Sequence, residues 1–146
     1  MANLQELPRA GATLPPSEHT LTLRDGTELF YRAWLPEKPT TKALLLFHRG
    51  HEHSGRWQET VAALGLEDVA VFAWDQRGHG HSPGERGSAP DLATVTRDAD
   101  EWVRHLSTTR GIALQDTILL AHSLGAVIAT GSGLTRASTP QQPADR

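Results

Sequence analysis

The run Ile118-Leu119-Leu120-Ala121-His122-Ser123-Leu124-Gly125-Ala126 is apolar up to a serine flanked by small residues, and then continues as a helix-forming sequence. A serine between a buried strand and a helix sits on a sharp turn that projects its hydroxyl from the end of a sheet toward a substrate. Strand and helix come close together there, so the positions two before and two after the serine must be small. Ala121 and Gly125 fill them, and Ala126 adds a third small residue. The spacing is that of a nucleophile elbow, with Ser123 as the attacking group and Ala121, His122 and Gly125 as its support.

A serine hydroxyl is a weak nucleophile until a base takes its proton. The 23 residues after Ser123 contain one acid, Asp145, and no histidine. His122 is adjacent but expected to point along the strand, away from the hydroxyl, so it does not meet the reach a general base needs. His48, His51 and His53, with His79 and His81 in a second loop, raise the alternative of a zinc site. Their spacing fits no closed ligand set, and no metal or other cofactor is expected.

The elements that must position Ser123 follow from periodicity. Residues 1–17, with prolines at 8, 15 and 16, read as a flexible leader. His19, Leu21 and Leu23 alternate with polar residues, Asp25-Gly26 makes a turn, and Thr27–Trp34 returns, which predicts a β-hairpin. Ala43–Phe47, Val69–Trp74 and Thr117–Ala121 are continuous apolar runs of strand length, as in parallel strands covered on both faces. Helices are predicted near Trp57–Leu64 and over Asp91–Leu106, the latter from Leu92, Val95, Ala99, Trp102 and Leu106, with Ser88 and Asp91 resembling its capping pair. A hairpin followed by alternating strands and helices argues for an open α/β sheet, whose active groups gather at the carboxyl ends of the parallel strands. The amphipathic face of Asp91–Leu106 and the four tryptophans are assigned to the core.

Composition narrows the class. A length of 146 residues suits one domain with an ordinary core. A net charge of −3 with acids and bases interspersed gives no footprint for nucleic acid or an anionic membrane. The absence of cysteine excludes a disulfide framework, and the start lacks the pattern of a secretory signal, which makes the cytoplasm the expected location. No apolar run approaches the ~18 residues of a spanning helix.

Three loops follow the three predicted parallel strands: His48-Arg49-Gly50-His51-Glu52-His53-Ser54-Gly55-Arg56-Trp57, then Asp75-Gln76-Arg77-Gly78-His79-Gly80-His81-Ser82, then the elbow. In this order they resemble the α/β-hydrolase fold and, within it, the monoacylglycerol lipase and lysophospholipase family of serine hydrolases, over roughly residues 18–130. The family's first loop reads His-Gly-x-Gly-Glu-His-Ser-Gly-Arg-aromatic, and Arg49 and His51 replace its two glycines here. The resemblance implies that the backbone amides of Gly50 and Leu124 form an oxyanion hole, where each donor is typically worth ~3 kcal/mol of barrier. It also implies that a histidine base and its orienting acid follow the nucleophile in chain order.

From Gly131 onward the sequence turns polar, with Gly131, Gly133, Pro140 and Pro143, where the family would continue into another buried strand. The expected organisation is a leader (1–17), a partial hydrolase domain (18–130) lacking the C-terminal strands, and a disordered or out-of-frame tail (131–146). The expected function is hydrolysis of carboxylic esters of the monoacylglycerol or lysophospholipid type, with a small-molecule ester or lipid as partner and the truncated chain inactive. The alternative is a noncatalytic fragment that self-associates through an exposed Thr117–Ala121 edge, because unpaired apolar strands seek other strands.

Overall fold

The computed structural model describes residues 15–48, 52–87 and 91–121. Among these, the order of elements is β1 (Ser17–Thr22), β2 (Glu28–Trp34), β3 (Ala43–Phe47), α1 (Gln58–Leu64), β4 (Ala70–Trp74), α2 (Leu92–Arg110) and β5 (Thr117–Ala121). Short 3₁₀ turns at Ser54–Trp57 and Leu114–Asp116 lead into α1 and β5. The strands form one sheet in the order β1-β2-β4-β3-β5. β1 and β2 are antiparallel, as are β2 and β4, whereas β3 runs parallel to both β4 and β5.

The hairpin closes as the Asp-Gly pair predicts, with a longer loop. Leu23 N–H donates to Thr27 O (2.8 Å) and Gly26 N–H to Leu23 O (2.9 Å), while Thr27 N–H reaches the Asp25 carboxylate (3.1 Å). Gly26 takes φ +88°, a left-handed value that a Cβ would strain.

Every residue of β3 and β4 is buried. Side chains alternate across a strand, so each of these runs must be covered twice. Leu45, Phe47, Phe72 and Trp74 join the core beneath α2, while Leu44, Leu46, Val71 and Ala73 join a smaller cluster with Trp57 and Val61 of the α1 layer. The centre of the larger core is aromatic. Trp102 of α2 stacks on Trp74 at 5.4 Å, and Phe47 meets Trp102 and Trp74 edge-on at 5.5 and 5.3 Å.

α2 differs from the sequence expectation at both ends. Asp91 itself is the N-cap, its carboxylate accepting from Thr94 N–H at 2.7 Å, while Ser88 lies outside the described residues. The helix runs past Leu106 to Arg110, where Gly111 at φ +71° ends it. Its last turn, Ser107 to Arg110, is polar and carries no apolar period. β4 starts at Ala70 instead of Val69, and Trp57 belongs to the 3₁₀ turn instead of α1.

β5 is the edge of the described sheet. Leu119 and Ala121 pack partly against the α2-side core, while Ile118 and Leu120 face the other way and are exposed. The leader up to residue 14, and everything after Ala121 including the expected boundary at 130, lie outside the described residues. No helix among the described residues is long and apolar enough to cross a membrane.

β1, β2 and α2 meet in a polar cluster. Arg110 donates to His19 Nδ1 (3.0 Å) and to the Tyr31 hydroxyl (3.2 Å), and that hydroxyl also bonds His105 Nε2 (2.9 Å). Burial, and then the Arg110 charge, push both imidazoles below their ordinary pKa, with His19 adding to the effect on His105. The unfolded chain therefore binds protons more readily than the folded one. This contribution is complete above the ordinary histidine pKa of about 6.5 and is lost as pH falls through the lowered folded values. The urea midpoint should drop between about pH 7.5 and 5, and a His19→Gln/His105→Gln double variant should flatten that part of the profile.

Candidate active site

In open α/β sheets, ligands gather beyond the carboxyl ends of the parallel strands. Phe47 pairs with Ala121 in the parallel β3–β5 ladder, so the segments beginning at residues 48 and 122 leave neighbouring strands at one level. On the other side of β3, Leu46 pairs with Ala73, so the loop after Trp74 starts beside them. Ala121 is the half-buried last residue of β5. Gly50, His51, His122, Ser123, Leu124 and Gly125 lie outside the described residues.

Asp75, just past β4, organises the described part of the site. It is fully buried, and its carboxylate accepts Ser54 N–H at 2.5 Å on one oxygen and His81 N–H at 2.8 Å on the other. Such charge-assisted bonds to backbone amides are among the stronger ones a protein makes. Its own N–H donates to Phe30 O (2.9 Å), and its C=O accepts from Ser82 Oγ (2.6 Å), which in turn accepts Phe30 N–H (2.9 Å). His48, also buried, accepts Gln76 N–H at its Nε2 (3.0 Å). The loop after β3 is thereby tied to the end of β4 on both sides of residues 49–51, through His48 before them and Ser54 after. The Gln76 side chain is 1% exposed at this junction, and neither of its amide atoms has a hydrogen-bond partner among the described residues.

The remaining loop histidines have local roles. His53 Nδ1 accepts from Gly55 N–H (3.1 Å) and caps the 3₁₀ turn. His79 Nδ1 lies 3.1 Å from Arg77 O, and the His81 ring packs 4.7 Å from Phe30. The His48 and His79 rings are 5.4 Å apart, but no group of three His, Cys, Asp or Glu among the described residues could hold a metal ion.

A second carboxylate fastens the β4 loop from below. Asp98, fully buried in the apolar stripe of α2, receives both arms of the Arg77 fork at 2.9 Å and Arg24 at 3.0 Å. Arg77 also reaches Asp25 (2.7 Å) and Thr27 (3.0 Å) in the hairpin loop. The bonds to Asp98, then Asp25, raise the Arg77 pKa further, and Arg77 holds the Asp25 carboxyl well below the carboxylate range. Sequence reasoning missed this network. Its one signal was an acid at position 98 within the apolar period Val95, Ala99, Trp102.

A family profile named Hydrolase_4, described as "Serine aminopeptidase, S33", matches residues 38–142. The chain belongs to this α/β-hydrolase family. "Uncharacterized protein YnbC" of Escherichia coli K12 is 48% identical over 114 residues, which cover 77% of this chain and 20% of that protein. Human "Monoglyceride lipase" is 37% identical over 116 residues, 80% of this chain and 37% of that protein. The solved structure of a soluble monoglyceride lipase variant from Saccharomyces cerevisiae has a TM-score of 0.63 at 24% identity, covering 83% of this chain and 38% of that one, a likeness of fold. The chain thus spans between a fifth and two fifths of the length of these relatives.

Within this hydrolase sheet, Gly80 (φ +51°) has no room for a side chain. A Cβ there would fall against the Asp75 carboxylate and 2.8 Å from His53 Cβ. Gly80→Ala should destabilise the protein by about 1–3 kcal/mol in urea unfolding, and should speed hydrogen exchange at the Ser54 and His81 amides. Asp98→Ala, which leaves the largely buried Arg77 guanidinium with Asp25 and Thr27 alone, should cost about 3 kcal/mol by the same measurement.

Proposed function

We propose that this chain carries the nucleophile-bearing part of a serine hydrolase of carboxylic esters, with monoacylglycerols or lysophospholipids as the substrate class. The observation that supports this best is the pairing of Phe47 with Ala121 beside the Asp75 loop. It starts the segments holding Gly50 and Ser123 from adjacent strands, about 4.8 Å apart. In this reading, Ser123 Oγ attacks the ester carbonyl, and the Gly50 and Leu124 amides receive the charge that develops on its oxygen. The bonds of His48 and Ser54 to the end of β4 fix the residues on either side of the Gly50 segment, which in this reading limits the reorganisation needed as the oxyanion forms. Ala121 and Gly125 keep the elbow tight, with His122 between them.

The imidazole that takes the serine's proton, and the acid that orients it, come after the nucleophile in this fold. No histidine follows Ser123 in these 146 residues, so the proposal assigns the base to polypeptide outside this sequence. Relatives named monoglyceride lipase support the substrate class. A form that includes the base should react with a fluorophosphonate probe at Ser123, shown by peptide mapping, and Ser123→Ala should abolish the modification. Labelling that persists in Ser123→Ala would overturn the assignment.

A second reading treats the 146-residue chain as a noncatalytic, self-associating module. The exposure of Ile118 and Leu120 on what is, among the described residues, an edge strand favours it. The two readings are compatible, one concerning the chemistry for which the elbow is built and the other the behaviour of the chain by itself.

A further inference from the structure

The loop after β4 closes on itself through two backbone bonds, Gly78 N–H to Pro83 O and Gly87 N–H to Gly78 O, both at 2.9 Å. Between these closures, one side chain takes up three carbonyls. Arg86 donates from Nη1 to Gly80 O (2.8 Å), from Nη2 to Ser82 O and from Nε to Gly84 O (3.3 Å). A guanidinium presents its donors along a rigid planar fork, and so can meet several acceptors in one fixed arrangement. An exposed arginine is ordinarily solvated and adds little to a fold, but this one spans the loop.

The Gly80 carbonyl and the His81 N–H belong to one peptide unit. Arg86 holds the oxygen of that unit, and the Asp75 carboxylate holds its hydrogen at 2.8 Å. A cation on the oxygen and an anion on the N–H polarise the peptide in the same sense, so each bond strengthens the other. Gly80 passes directly against the same carboxylate, with no room for a Cβ between them. Turning the peptide over would release both charged bonds at once. It would also deprive Asp75, which is fully buried, of one of the two amides it accepts. The clamp therefore joins an interior charge to one at the surface through a single peptide.

We infer that Arg86 is a positioning residue of the candidate site. Through the Gly80–His81 peptide it fixes the Asp75 carboxylate, and Asp75 in turn fixes the Ser54 N–H just beyond residues 49–51. Arg86 acts through Asp75 and not on the substrate. The last step, from Ser54 to the oxyanion, rests on the serine hydrolase reading above, whereas the clamp itself does not.

The test compares Arg86→Gln and Arg86→Lys with the wild type. In the 146-residue chain, hydrogen exchange at the His81 and Ser54 amides should speed up by about tenfold in both variants, while the amides of the β3–β4 ladder keep their rates. Lysine keeps the charge but lacks the fork, so it should not restore slow exchange. In a form that includes the base, Arg86→Gln should label at Ser123 about tenfold more slowly at saturating fluorophosphonate, with the half-saturating concentration of the probe unchanged. Unchanged exchange at His81 would overturn the clamp. Faster exchange at every amide of the sheet would show a general loss of stability and overturn the positioning role. Faster exchange at His81 and Ser54 with undiminished labelling would overturn the link from Arg86 to the site. If the wild type itself does not label at Ser123, the hydrolase reading fails, and exchange at His81 and Ser54 still decides whether Arg86 holds the loop.

Discussion

The whole arrangement depends on the burial of β3 and β4 on both faces. Ten consecutive-facing apolar residues in two parallel strands cannot be covered by one layer, and a parallel connection needs a crossover long enough to hold a helix. The chain supplies α1 between β3 and β4, and α2 between β4 and β5. Right-handed crossovers in opposite directions along the sheet put these helices on opposite sides. Once that is done, the carboxyl ends of β3, β4 and β5 emerge together. The loops that follow β3 and β4 carry the polar residues, several of them buried.

Free loops need anchors, and here the anchors are buried carboxylates. Asp75 is bonded by amides from the loops after β3 and β4, and Asp98 by guanidinium groups from the loop after β4 and the hairpin loop. A buried charge left without partners would cost several kcal/mol, so each carboxylate holds its loops to one conformation. The tight approach at Gly80 belongs to the same device, since the chain must pass directly against Asp75 for His81 to donate.

The helices cover the sheet unevenly. α2 has 19 residues and spans the faces of several strands, whereas α1 has 7 and, among the described residues, does not cover β5 on its side. The same parallel pairing that brings Ala121 level with Phe47 thus also exposes Ile118 and Leu120.

The sequence was most legible where one physical rule dominated. Continuous apolar runs marked β3, β4 and β5 to within a residue, the three-and-four spacing marked α2, and Asp25-Gly26 marked the hairpin loop. The small residues around Ser123 named the candidate nucleophile through the steric demand of a strand-to-helix turn. The polar last turn of α2, the capping role of Asp91 and the 3₁₀ turn before α1 were less legible, because no hydrophobic period extends into them. Strand order, the bonds that tie His48 and Ser54 to the end of β4 and the Arg77–Asp98 fork were decided only by tertiary structure. Hydrogen bonds between residues 20 to 75 positions apart leave no periodic trace in a chain. An acid destined for burial among guanidinium groups has the same letter as one that faces water.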